Sequence, residues 1–170
     1  MRKKYVAEKA VQLLGGDILA SKGMQLERGF YQHGSVTVYE HSLAVAVMCV
    51  RLSRFMRIKT DLRALVRGAL LHDYFLYDWH IPDPSHRLHA FTHPRRALMN
   101  ARRDFAIGGT EGNMILSHMF PMSTVFCREP QAVSVRQNRA AAKMMDTILL
   151  MGCSSLSSYE KTVKAKCFDR

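Results

Sequence analysis

Long apolar segments are missing from this 170-residue sequence. No stretch approaches the roughly 18 uninterrupted apolar residues of a membrane-spanning helix, so we expect no membrane association. The basic start of the chain is followed by no hydrophobic segment, which argues against a signal peptide. Cysteine is sparse, and the four cysteines show no Cys-x-x-Cys spacing. Cys49 lies in an apolar helical run and is predicted to be a buried, reduced thiol, so we expect a cytoplasmic protein.

Acidic residues are also few. The sequence has 14 Asp and Glu against 25 Lys and Arg, which gives a net charge of +11. An excess of positive charge raises the local concentration of anions such as nucleotides, phosphoesters and nucleic acid. The basic residues are spread over several predicted helices, without the aromatic-interleaved patch typical of single-strand binders. The charge therefore favours an anionic ligand without fixing its size, and nucleic-acid binding is the weaker interpretation.

Apolar periodicity predicts helices nearly throughout and no strand. At this length we expect one domain over residues 1–170. The fold class is all-α, a compact helical bundle. In the first half of the chain, helices are predicted over 3–14 (ended by Gly15-Gly16), over 17–28 (ended near Gly29), over 40–56, and from a cap at Asp61 to His72-Asp73. An ordered loop is predicted over 74–91. The later predicted helices start at Thr92-His93-Pro94, run from Gly108-Gly109-Thr110 through His118, cover 132–151, and include one in the tail 154–170.

The pair His72-Asp73 closes the apolar run Ala69-Leu70-Leu71. Neighbouring residues at a helix end can converge on one point that lies beyond the helix. The imidazole supplies a nitrogen ligand, and the carboxylate supplies one oxygen, or two if it bridges a pair of ions. The pair is therefore a candidate metal-binding element.

Other candidate ligands fall at or near the ends of successive predicted helices. Helix ends are where a bundle gathers side chains from distant positions around one pocket. A single histidine of this kind is more often a satisfied core residue, and a buried aspartate can pair with an arginine. The recurrence at several helix ends favours a shared metal site. The candidates are His41, His72, Asp73, His93, His118 and Asp146.

The order His, His-Asp, Asp resembles the HD-domain superfamily of metal-dependent phosphohydrolases. The resemblance covers about residues 32–150 and is closest to an uncharacterised bacterial branch. The segments that carry it are Gln32-His33-Gly34, Val38-Tyr39-Glu40-His41-Ser42, Leu70-Leu71-His72-Asp73-Tyr74-Phe75-Leu76-Tyr77-Asp78-Trp79-His80, His93-Pro94 and His118-Met119-Phe120-Pro121.

The resemblance implies an all-α bundle of the HD type with a central metal site. His41, His72, Asp73 and Asp146 would hold a first ion. His93 and His118 would hold a second, with Asp73 as the bridge. The ions could be Fe, Mn, Mg, Ni or Zn. The implied activity is hydrolysis of a nucleotide or another small phosphoester by hydroxide bound to the metal, with Asp73 and His72 as catalytic residues.

Several further residues are candidates for substrate contact. Arg95 and Arg96 follow His93 at a predicted helix start, where a phosphate could bind, although a solvent-facing pair is the simpler interpretation for at least one of them. Arg67 could pair with a carboxylate of the site. A substrate contact and a structural role are about equally supported for the others, which are His33, Asp78 and His80.

One departure from the family pattern supports an alternative function. Related sequences often carry a lysine after the last aspartate, where this chain has Thr147. This motivates a catalytically impaired ligand sensor or regulatory module that keeps the fold and the metal. The Gly-Tyr-Pro motif of cyclic-dinucleotide phosphodiesterases is absent, so that activity is disfavoured.

Overall fold

The structure, a computed structural model, describes residues 2–119. This part of the chain is mostly helical, as predicted, with one two-stranded antiparallel sheet. None of its helices combines the length and apolar character that crossing a bilayer requires. The elements are α1 (Arg2–Leu19), α2 (Lys22–Leu26), β1 (Tyr31–His33), β2 (Val36–Thr37), α3 (Val38–Phe55), α4 (Leu62–Leu71), a short 3₁₀ helix (Pro84–His86), α5 (His89–Asp104) and α6 (Gly109–Ser117).

Helix α4 lies at the centre of the fold. Its residues 64–71 are all buried, and it packs against α1, α3 and α6. The predicted cap is confirmed, since Asp61 Oδ1 accepts hydrogen bonds from the Arg63 and Ala64 amides at 2.9 and 3.1 Å. Because α4 is capped at its start and apolar along its length, its end lies in the interior. His72 and Asp73 follow at that end.

The predictions for α3 and α6 are confirmed. Helix α3 begins two residues before the predicted position 40, because Thr37 and Glu40 form a reciprocal capping box. Cys49 is fully buried within it, as expected. Helix α6 starts at the predicted glycines, where Glu111 Oε2 accepts from the Gly108 amide at 3.1 Å. Helix α3 begins beside α4 and helix α6 ends beside it, and each places a histidine there.

Two helix boundaries at the N-terminal end were predicted wrongly. Helix α1 continues through Gly15-Gly16 to Leu19, and only the short α2, capped by Ser21, follows it. Gly15 is buried against α4: a Cβ at this position would clash with Leu70 Cδ1 and lie 3.2 Å from Val66 Cγ1. This glycine therefore permits close approach of two helices instead of ending one.

The adjacent glycines give a matched test of that packing. Gly16→Ala is expected to raise the free energy of unfolding by about 0.5–1 kcal/mol, because alanine favours the helix and nothing lies within 4 Å of its Cβ. Gly15→Ala gains the same propensity but meets Leu70, so it is expected to be about 1–3 kcal/mol less stable than Gly16→Ala. Urea unfolding of both variants measures the difference. Equal stabilisation by both substitutions would contradict close packing at Gly15.

The start of α5 was also predicted wrongly. The helix begins at His89 rather than Thr92, after Leu88 in the left-handed conformation (φ 58°). Pro94 is consequently the sixth helical residue, so the Ala90 carbonyl lacks its usual helical partner. The earlier start places His89 one turn before His93, and their rings stack at 4.6 Å.

A short β-hairpin was missed by the sequence analysis. Tyr31 pairs with Thr37 and His33 with Val36, and Gly34 adopts a positive φ of 56° in the turn. Strands of three and two residues are too short to show an alternating pattern. The hairpin contacts α3 and carries Gln32 and His33 towards the end of α4.

The remaining predictions lie outside the described residues. They are the helices over 132–151 and in 154–170, and the ligand Asp146. The single domain over 1–170, with a metal-binding core over about 32–150, stays a prediction for the same reason.

Candidate metal centre

Five of the six predicted ligands meet at the end of α4. His41 comes from the second turn of α3, His93 from the second turn of α5, and His118 follows α6, while His72 and Asp73 follow α4. All five residues are buried, none being more than 6% exposed. The sixth, Asp146, lies outside the described residues. The structure thus brings these five residues together.

The two carboxylate oxygens of Asp73 face different histidines. Oδ2 lies 3.2 Å from His72 Nε2 and 3.8 Å from His41 Nε2. Oδ1 lies 3.3 Å from His118 Nε2 and 3.4 Å from His93 Nε2. In each group the candidate ligand atoms all lie within 4.8 Å of one another, so each could hold a metal ion, with Asp73 shared between the two.

Backbone carbonyls orient three of the imidazoles. Nδ1 of His72, His93 and His118 lies 2.7–2.8 Å from the carbonyl oxygens of Ala69, His89 and Ile115, respectively. A carbonyl oxygen only accepts, so Nδ1 donates in each case. A neutral imidazole has one N–H, which leaves the Nε2 lone pair directed at the centre. This is the tautomer and orientation that metal-binding histidines require.

Several polar atoms at the centre lack favourable partners unless a cation is bound there. His93 Nε2 and His118 Nε2 are 2.9 Å apart, and two lone pairs at that distance repel unless a proton or a cation lies between them. His72 Nε2 and Asp73 Oδ1 are buried and have no hydrogen-bond partner with proper geometry. Buried polar groups are normally paired. The residues present therefore fit bound metal ions.

The ionised form of Asp73 and the neutral form of His118, which the centre favours, are also the forms that bind a cation. Burial opposes a charge on Asp73, but His72 and the contacts with His118 and His93 outweigh it and hold the pKa of Asp73 well below its ordinary value. Burial lowers the pKa of His118, which favours its neutral form. Burial likewise disfavours charge on His72, yet Asp73 raises the pKa of His72 overall. Protons should therefore compete with metal at low pH.

Gln32 is a site residue that the list of candidates missed. Its Nε2 donates to Asp73 Oδ2 at 2.8 Å, and its own Oε1 is buried without a partner. Such a contact orients a ligating carboxylate. The only signal in the sequence was the Gln32-His33-Gly34 segment of the family resemblance.

Glu27, at the end of α2, is a second residue that was missed. It is fully buried, and neither carboxylate oxygen has a hydrogen-bond partner. Burial, reinforced by the charge of Asp73, raises the pKa of Glu27 well above its ordinary value; the nearby Leu76 amide favours the charged form only weakly. No pattern around Glu27 distinguishes it from a surface glutamate in the sequence.

Among the predicted substrate residues, His33 contacts a member of the cluster. It is exposed on the hairpin, and its ring centroid is 5.8 Å from that of His41, nearly perpendicular to it. His33 is therefore placed between the buried cluster and solvent.

Arg67 has a different partner from the one expected. Its Nη1 donates to both carboxylate oxygens of Asp17 in α1, at 2.8 and 2.7 Å, and the guanidinium is buried. Because this ion pair joins α4 to α1, we assign Arg67 to packing between helices.

The other predicted substrate residues are exposed or half-buried around the loop between α4 and α5. Arg95 and Arg96 are both exposed, and Arg96 Nη2 donates to the Ser85 carbonyl at 2.9 Å. Asp78 Oδ1 accepts from the His80 amide at 3.0 Å and lies 3.0 Å from His80 Nδ1. Their substrate contacts stay predictions.

Comparison of the chain with family models, curated proteins and solved structures finds no match. Membership of the HD superfamily therefore stays a prediction.

Proposed function

We propose that this protein is a binuclear metal-dependent phosphohydrolase that acts on a nucleotide or another small phosphoester, and that its fold is of the HD type. The observation that carries the proposal is the division of Asp73 between two histidine pairs. A carboxylate bridge between two ions is an arrangement used for in-line displacement at phosphorus.

Each residue of the cluster has a role in this proposal. His41, His72 and Asp73 would hold one ion, together with the predicted ligand Asp146, and His93, His118 and Asp73 would hold the other. When bound, two ions lower the pKa of water, position it and neutralise charge on the phosphate. A mixed set of imidazole nitrogen and carboxylate oxygen suits Fe, Mn, Ni or Zn, and Mg less closely.

The protein supplies orientation and exclusion of water. The carbonyls of Ala69, His89 and Ile115 keep protons on Nδ1, so that Nε2 stays available to the ions. Gln32 restrains one oxygen of Asp73. Burial of the cluster lowers the local dielectric constant, which strengthens the attraction between ligands, cations and an anionic substrate. The exposed Arg95 and His33 are the candidates for phosphate contact.

The test combines metal content with turnover. Protein purified without added metal, and then supplied with Mn²⁺, Fe²⁺ or Zn²⁺, is expected to hold about two ions per chain and to hydrolyse p-nitrophenyl phosphate or its diester. His118→Ala is expected to leave about one ion per chain and to lower turnover roughly a hundredfold or more, because one half of the site is lost. Two bound ions with tight nucleotide binding and no hydrolysis would contradict the proposal and favour the sensor function.

A further inference from the structure

A groove of about 380 Å³ lies on the loop between α4 and α5. Its volume falls within the range of small-molecule sites. Two of its apolar side chains are notably accessible, with Trp79 37% and Ile81 61% exposed. The residues that line it are Trp79, Ile81, Pro82, Pro84, Asp83, His86 and Arg87.

Stacked rings connect this groove to the metal centre. Trp79 stacks on His89, with centroids 5.1 Å apart and planes 10° from parallel. His89 in turn stacks on His93 at 4.6 Å and 19°. The groove is therefore two ring contacts away from a predicted metal ligand, and the stack fixes its position relative to the cluster.

A second stack holds another residue that lines the groove, His86. His86 stacks on Tyr77 at 4.4 Å and 19°, and the Tyr77 hydroxyl lies 2.8 Å from His89 Nδ1. His86 is thus held in place, and a planar ligand could extend the Tyr77–His86 stack.

The groove also contains a hydrogen-bond acceptor, the carboxylate of Asp83. Asp83 Oδ1 accepts from the Ser85 amide at 2.7 Å, and an ionised carboxylate has about four acceptor positions, so capacity for a ligand N–H remains. Carboxylates pair with the exocyclic amino groups of bases. Apolar walls, a stacking ring and a carboxylate together match a planar heteroaromatic ring that bears an amino group.

We propose that this groove binds the amino-bearing base of the substrate while its phosphate reaches the metal centre, with His86 stacking on the base and Asp83 accepting from its amino group. The proposal deepens the phosphohydrolase function and rests on it. It selects adenine-like or cytosine-like bases over bases that carry only carbonyl oxygens at the corresponding position.

Binding can be tested without any turnover. Calorimetry with adenosine and with inosine, which has an oxygen in place of the amino group, is expected to show tighter binding of adenosine. His86→Ala should weaken adenosine binding about tenfold, and Asp83→Asn should reduce the preference for adenosine. Trp79 is the single tryptophan of the chain, so a change in its emission places the ligand in the groove. Met99→Ala, at an exposed position of α5 outside the groove, is the matched control.

Equal affinity for the two nucleosides, or adenosine binding that His86→Ala leaves unchanged, would overturn the assignment of the groove. Measurements of turnover distinguish failure of the groove assignment from failure of the hydrolase proposal. The ratio of kcat/KM for adenosine monophosphate to that for glycerol phosphate is expected to fall about tenfold in His86→Ala. Hydrolysis of both substrates with an unchanged ratio would overturn the groove alone. Absence of hydrolysis with two ions bound would overturn the hydrolase function, and the nucleoside experiment would still decide the groove.

Discussion

Asp73→Asn is expected to abolish binding of both metal ions and to lower phosphoester turnover roughly a thousandfold or more. The substitution preserves the size of the side chain but removes its charge and one of its two oxygens. Those oxygens face separate histidine pairs, so one change affects both halves of the site. Metal content per chain by mass spectrometry and the turnover of p-nitrophenyl phosphate measure the result.

Asp61→Asn is the matched control. It makes the same chemical change at the opposite end of α4, where Asp61 caps the helix and asparagine caps equally well. Metal content and turnover are expected to stay at the wild-type level, and circular dichroism verifies that both variants fold. If Asp73→Asn kept two ions and most of its turnover, the bridging role of Asp73 would be refuted.

Glu27→Gln is expected to change the pH dependence of stability. The pKa of Glu27 is raised from its ordinary value of 4.5 by burial and by the charge of Asp73. Over the interval between the two pKa values the folded protein keeps a proton that the unfolded chain releases. The stabilising contribution of Glu27 is therefore complete below about pH 4.5 and is lost as pH rises towards the folded-state pKa.

A neutral glutamine avoids this loss. The free energy of unfolding of Glu27→Gln, relative to the wild type, is expected to increase with pH above 4.5, by up to about 1.4 kcal/mol per pH unit for one proton. Urea unfolding between pH 4.5 and 8, with a chelator present throughout, measures the slope. Glu27→Met should show the same slope, because it also cannot ionise. A difference that stays constant over this range would show that Glu27 does not hold its proton in the folded protein.

The local sequence was sufficient to predict most of the helices. The apolar periodicity and the Asp61 cap predicted α4, and the glycines at 108 and 109 marked the start of α6. The same signals placed His41 and His118 near helix ends, where α3 and α6 bring them to Asp73. These predictions succeeded because helix formation and capping depend on residues within one or two turns.

Other features depend on contacts between distant segments. The local sequence predicts that Gly15 ends a helix, but Gly15 instead permits close packing against Leu70 in another helix. The Gln32–Asp73 hydrogen bond joins residues 41 positions apart, and the burial of Glu27 depends on how α2 meets the chain after α4. Tertiary context overrides local propensity at such positions.

By itself, the sequence determined a mostly helical fold over the described residues and the types of ligand available to a metal, since periodicity and donor chemistry are properties of the chain. Only the tertiary structure decided which oxygen of Asp73 faces which histidines, that three imidazoles present Nε2 to the centre, and that stacked rings connect Trp79 to His93. Distances and ring orientations arise from the packing of helix ends, which no single segment specifies.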